Sequence, residues 1–114
     1  MKEIKKKTEE KEVRVLVVDD NESLVGMLKE YFDEHKKISI VKEAYNGEDA
    51  IGVIESNLEN FDVLLLDLIM PKKDGISVLE ELKNKNITMN IIVLTSYNSA
   101  EVIRNVSEYG IKYY

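Results

Sequence analysis

Short apolar runs recur along the chain with helical stripes between them, and this alternation constrains the fold more than any other feature. Residues 13–18 (VRVLVV), 64–66 (LLL, extended backwards by Phe61-Asp62-Val63) and 91–94 (IIVL) are apolar at nearly every position. Such runs suit strands covered on both faces, as in a parallel sheet. Residues 38–41 (ISIV) are more polar and alternate, which predicts an outer strand. Leu24, Leu28 and Phe32, with Val25 and Tyr31 beside them, make a helical stripe behind Asn21 as N-cap. Ala50, Ile51, Ile54 and Leu58 make a second, opened by Asn46-Gly47, and Ile76, Leu79 and Leu82 a third behind Asp74. Val102, Ile103 and Val106 make a fourth, closed by Gly110 as a left-handed C-cap. The order is β-α-β-α-β-α-β-α, with a fifth strand opening at Lys112-Tyr113-Tyr114. It predicts an α/β fold, a doubly wound parallel sheet with right-handed crossovers.

Residues 1–12 (MKEIKKKTEEKE) have no apolar stripe and read as a charged flexible tail, leaving 13–114 as one domain. With 114 residues, 44% of them hydrophobic, one real core is within reach. The absence of cysteine excludes a disulfide scaffold, a zinc ribbon and a thiol nucleophile. No stretch approaches about 18 uncharged apolar residues, and the lysine-rich start is no signal peptide. A soluble, cytoplasmic chain without a membrane role is expected. Sixteen basic against 22 acidic residues give a net charge of −6, which argues against direct nucleic-acid binding.

In an open α/β sheet, ligands sit beyond the carboxyl ends of the strands. There the sequence places Asp19-Asp20, Asp67 and Thr95-Ser96. One aspartate after a strand is often a mere helix cap, and Asp20 could cap the first helix unaided. Asp67, though, lies between apolar residues, where an unpaired carboxylate is costly, and three carboxylates together raise one another's pKa. A hard cation, Mg2+ or Mn2+, would reconcile them. Pro71 forces the following turn, and Gly75 allows tight packing after it.

At these residues the sequence resembles the receiver domain of two-component response regulators. The segments VLVVDDN (residues 15–21), LLLDLIMPKKDG (64–75) and IIVLTS (91–96) carry the resemblance, with the spacing expected between them. The stretches LDLIMP and EYGIKYY look most like receivers of the sporulation master-regulator type. The resemblance implies a flavodoxin-like (CheY-like) sheet of strand order 2-1-3-4-5. It implies Asp67 as the phosphoacceptor, Asp20 and Asp19 as metal ligands with Asp67, and the backbone carbonyl of Ile69 completing the protein's share. Thr95 would be the switch hydroxyl and Tyr114 the aromatic switch residue. A histidine kinase or histidine phosphotransferase would be the donor, and a C-terminal DNA-binding effector domain the output. The domain would catalyse only its own phosphorylation and dephosphorylation and would not otherwise be an enzyme.

Receivers carry a lysine at the end of strand five, and Lys72, Lys73 and Lys112 do not fit that position. Strand five is therefore expected to be incomplete and the last helix missing, with the open edge beside strand four inviting a dimer or segment exchange. Ile69 is apolar and cannot position an attacking water, so a long-lived acyl phosphate is expected. His35, in a charged setting, reads as a solvated helix end. A stand-alone phosphorelay carrier is the alternative function. A flavodoxin-type cofactor binder is a more distant one, since it needs a Ser/Thr/Gly-rich loop where this chain has Asp-Asp-Asn.

Overall fold

The computed structural model describes residues 12–70, 72–94 and 104. Four strands, β1 (Val13–Val18), β2 (Ile38–Ala44), β3 (Val63–Asp67) and β4 (Asn90–Leu94), alternate with α1 (Glu22–Asp33), α2 (Gly47–Asn57) and α3 (Gly75–Asn84). A 3-10 turn, Leu58–Asn60, follows α2. All strand pairs are parallel and the sheet order is β2-β1-β3-β4. This is the expected α/β architecture with the expected order of its first four strands. The expected fourth helical stripe and fifth strand, with Thr95, Ser96 and Tyr114, lie outside the described residues, as do Pro71 and the tail before Glu12.

The period-2 geometry of the strands sorts their side chains between two layers. Leu16, Val18, Leu64, Leu66 and Val93 share one core with Ala50, Ile51 and Ile54 of α2 and Val78, Leu79 and Leu82 of α3. On the opposite face Val15 and Val17 pack with Val25, and Leu28, Val63 and Leu65 lie against them. Burial on both faces thus holds throughout Val15–Val18 of β1, whereas Val63 and Leu65 of β3 are half-buried. The second strand is longer than its apolar stretch, running through Lys42 and Glu43, because the faces of an outer strand are only partly covered, and Val41 and Lys42 are exposed. A register shift between Val15 and Leu16 leaves Val41 as the unmatched residue of β2.

Burial on α1 centres on Val25, which is fully buried, while Leu24, Leu28 and Phe32 are half-buried and Tyr31 is 60% exposed. Tyr31 lies six positions on from Val25, about 120° around the helix at about 3.6 residues per turn, so both cannot face the sheet. Arg14 ties the start of β1 to the entrance of β3. Asp62 Oδ2 accepts its backbone N–H (2.8 Å) and Nε–H (3.2 Å), and Oδ1 accepts from Nη2 (3.2 Å).

The helix starts follow their caps. Asn21 Oδ1 accepts from Leu24 N–H at 3.1 Å, and Asp74 Oδ1 from Ser77 N–H at 2.8 Å. Replacing Asp74 by alanine is expected to cost about 1 kcal/mol. Asparagine keeps the acceptor and should recover most of that in urea denaturation, whereas equal losses for the two variants would rule out the cap.

Candidate functional site

The carboxyl ends of β1 and β3 bring three aspartates together. Asp19 follows β1 directly and is only 9% exposed. Its backbone N–H donates to the Ala44 carbonyl (3.1 Å), and its Oδ1 accepts from Asn21 N–H (2.9 Å), so the turn into α1 is fixed at both ends. Asp20 is exposed, and because Asn21 is the cap of α1, capping does not account for Asp20. Asp67 is the last residue of β3 and stands in register with Leu94, after which Thr95 follows in sequence. It is half-buried rather than deeply buried, and its Oδ1 accepts from Ile69 N–H at 3.3 Å.

Asp19, Asp20 and Asp67 each offer a carboxylate oxygen, and these oxygens all lie within 4.8 Å of one another. Burial raises the Asp67 carboxyl above the usual carboxylate range, and the charges of Asp19 and Asp20 add to it. The N–H groups of Ile69 and Leu68 pull the other way. Three hard oxygen donors from two strand ends, in mutual repulsion, suit a hard divalent cation such as Mg2+ or Mn2+. The residues present therefore fit the expected metal. Ile69, 55% exposed, lies in the loop after β3.

The loop after β3 is packed closely. Gly75 N–H donates to the Leu68 carbonyl (2.9 Å), and a Cβ at Gly75 would stand 2.5 Å from the Asp67 carbonyl oxygen and 2.6 Å from Leu68 Cα. Glycine is needed there for close approach, as its place in the sequence suggested. Lys72 adopts a left-handed backbone (φ 66°). Lys73 pairs with Glu81 at 2.8 Å, which occupies it away from the three aspartates. His35 sits past the C-terminal end of α1, whereas Asp20 lies at its N-terminal end; the His35 Nδ1 lies 2.9 Å from the Tyr31 carbonyl. The Asp62 bridge and the Lys73–Glu81 pair had no signal in the sequence, because each joins residues by tertiary contact alone.

Comparison with known proteins agrees with this geometry. The response regulator receiver domain family matches residues 15–114. A curated relative named "Probable C4-dicarboxylate response regulator DctR", from Bacillus subtilis (strain 168), is 30% identical over 100 residues. That match covers 88% of this chain and 43% of the relative, so the chain spans less than half of that protein's length. Among solved structures, the receiver domain of the Francisella response regulator 1452 has a TM-score of 0.77 at 34% identity, covering 90% of this chain and 81% of that one. A chain of the CheX–CheY–BeF3–Mg2+ complex from Borrelia burgdorferi has a TM-score of 0.80 at 27% identity, covering 89% and 75%. By sheet order, acidic cluster and family match, the chain belongs to the response regulator receiver domains.

Proposed function

We propose that this receiver accepts a phosphoryl group on Asp67 from a phosphohistidine, in a reaction dependent on Mg2+ or Mn2+. The observation that carries the proposal is the convergence of Asp19, Asp20 and Asp67 at the carboxyl ends of adjacent strands. A carboxylate oxygen of Asp67 attacks phosphorus, the phosphorus–nitrogen bond breaks, and the imidazole keeps the electron pair and takes up a proton. The product is an acyl phosphate. When bound, a divalent cation supplies the charge neutralisation that such a transfer requires. Asp19 and Asp20 would hold it, with Asp67 and the Ile69 carbonyl as the remaining protein ligands. The N–H of Ile69 steadies the Asp67 carboxylate in its ionised, nucleophilic form.

Thr95 and Tyr114 would report the modification to the output surface, by a population shift between two states. The donor would be a histidine kinase or a histidine phosphotransferase. The greater length of DctR supports a following effector domain, DNA-binding in this proposal, although a stand-alone carrier shares every residue of the site. The narrower sporulation-type output rests on LDLIMP and EYGIKYY alone, and none of the relatives named above carries it in its name. The domain would act on itself only, in the cytoplasm; among the described residues no helix is long and apolar enough to cross a membrane. The flavodoxin-type alternative loses its ground to the family match and to the carboxylates standing where its phosphate loop would be.

The test is incubation with acetyl phosphate and Mg2+, followed by intact-mass measurement. One phosphoryl adduct, lost with chelator and lost in Asp67→Asn, is expected. An adduct that persists in Asp67→Asn would exclude Asp67 as the acceptor.

A further inference from the structure

The loop that follows Asp67 leans on a glycine of a different element. Gly47 opens α2, and the start of this helix is held rigidly. Asn46 Oδ1 accepts from Asp49 N–H (2.9 Å), and Asn46 Nδ2 donates to Asp49 Oδ2 (3.0 Å). One turn further, Ala50, Ile51 and Ile54 are buried in the core. Against this start lies the backbone of Lys73. A Cβ at Gly47 would meet the Lys73 carbonyl oxygen first, then Lys73 Cβ at 2.6 Å and its carbonyl carbon at 2.7 Å. These are closer than side-chain carbons approach their neighbours, and the nearest obstacle is backbone, which has no rotamer to turn away. From the other side the Lys73 ammonium is held by Glu81 of α3 (2.8 Å). Glu81 also pairs with Lys85 (2.9 Å), which in turn pairs with Glu55 of α2.

We infer that Gly47 is a positioning residue for the acceptor site. Its missing side chain lets the start of α2 act as a stop that sets where the loop between β3 and α3 rests, and so where Ile69 stands relative to Asp67. The inference rests on the phosphoacceptor function proposed above. An added methyl group displaces the half-buried turn at Lys73 and not the helix, which is anchored in the core. Leu68 and Met70 are anchored in that core too, so the strain falls on exposed Ile69 between them. The first contact to suffer is the Ile69 N–H bond to Asp67 Oδ1. At 3.3 Å it is already long for a hydrogen bond, so several tenths of an ångström break it.

The test compares the unaltered chain with Gly47→Ala, Gly52→Ala and Glu81→Gln, using Mn2+ affinity by calorimetry and the rate of acyl phosphate formation from acetyl phosphate. Gly52 lies in the same helix with nothing within 4 Å of an added Cβ, so Gly52→Ala controls for helix propensity and should change neither readout. Gly47→Ala should lose about tenfold in both. Glu81→Gln, which loosens the other side of Lys73, should lose about threefold in Mn2+ affinity. A merely structural role would lower the melting temperature and leave the Mn2+ affinity of the folded protein unchanged. A folded Gly47→Ala with unaltered Mn2+ affinity therefore overturns the inference. Should Gly47→Ala not fold, an unchanged affinity in Glu81→Gln overturns it instead. Failure of the unaltered chain to bind Mn2+ removes the proposed function, and this inference with it.

Discussion

Asp67→Asn is expected to make the metal-free chain more stable at neutral pH and to abolish its stabilisation by Mg2+. The three carboxylates lie within 4.8 Å of one another, and Asp67 is raised by burial first and then by its two acidic neighbours. An amide at that position is nearly isosteric and carries no charge, so it relieves the repulsion without opening a cavity. The pH dependence has a definite sign. Between the ordinary carboxylate value and the raised one, the folded chain keeps the Asp67 proton while the unfolded chain has lost it. In that window the folded state binds more protons, and stability falls as pH rises. Below the window the two proteins should be nearly equal, and through it the variant should draw ahead by a few degrees in melting temperature. Mg2+ should reverse the order. A cation present at about a hundred times its dissociation constant adds about 2.7 kcal/mol to a folded state that binds it. Thermal melts with chelator and with Mg2+, across the carboxylate range of pH, check all of this. Equal Mg2+ stabilisation in both proteins would remove Asp67 from the metal site.

Leu66→Ala is expected to be the more damaging change to the fold itself. Leu66 is fully buried, in register with Val18 on one side and Val93 on the other, and directly precedes Asp67. Truncation there removes apolar contacts and leaves a cavity between rigid strands, at a cost of about 2–5 kcal/mol. Native domains are stable by only about 5–15 kcal/mol, so this can be half of the total. Leu65 is the control. It points to the opposite face and is half-buried, so Leu65→Ala should cost less than half as much. Urea midpoints at constant slope decide the matter. Comparable losses at both positions would mean that the two faces of β3 are equally packed, contrary to the structure.

Much of the fold was legible because it depends on local pattern. The apolar runs of β1, β3 and β4 mark their strands to within a residue or two, and Asn21 and Asp74 cap the helices they precede. The aspartates were legible for a related reason: a strand end locates the site, and topology brings the ends together. Other features depend on contacts between distant segments and have no period or motif. The burial centre of α1 at Val25 is set by the sheet it faces, not by the most regular spacing along the helix. The Asp62 bridge to Arg14 looks in sequence like a polar interruption of an apolar run. Gly47 reads as the opening of a helix, and only the assembled molecule brings the Lys73 backbone against it.

The place of β1 in the sheet has a mechanical consequence. It is flanked by β2 and β3, and its last four residues are buried on both faces, so no single neighbour can peel away and expose it. Its amide protons should exchange with solvent only when the whole domain opens, while those of the outer strand β2 exchange through local fraying. Asp19 follows directly from this least yielding strand. The segment after Asp67 is buried at Leu68 and Met70 and pinned by Gly75. Its turn at Lys72–Lys73, though, rests on the Gly47 contact and a chain of surface ion pairs, and it is the more compliant side of the same clamp. Any movement that accompanies a change at the site will therefore be taken up on the Asp67 side, with the Asp19–Asp20 side as the fixed reference.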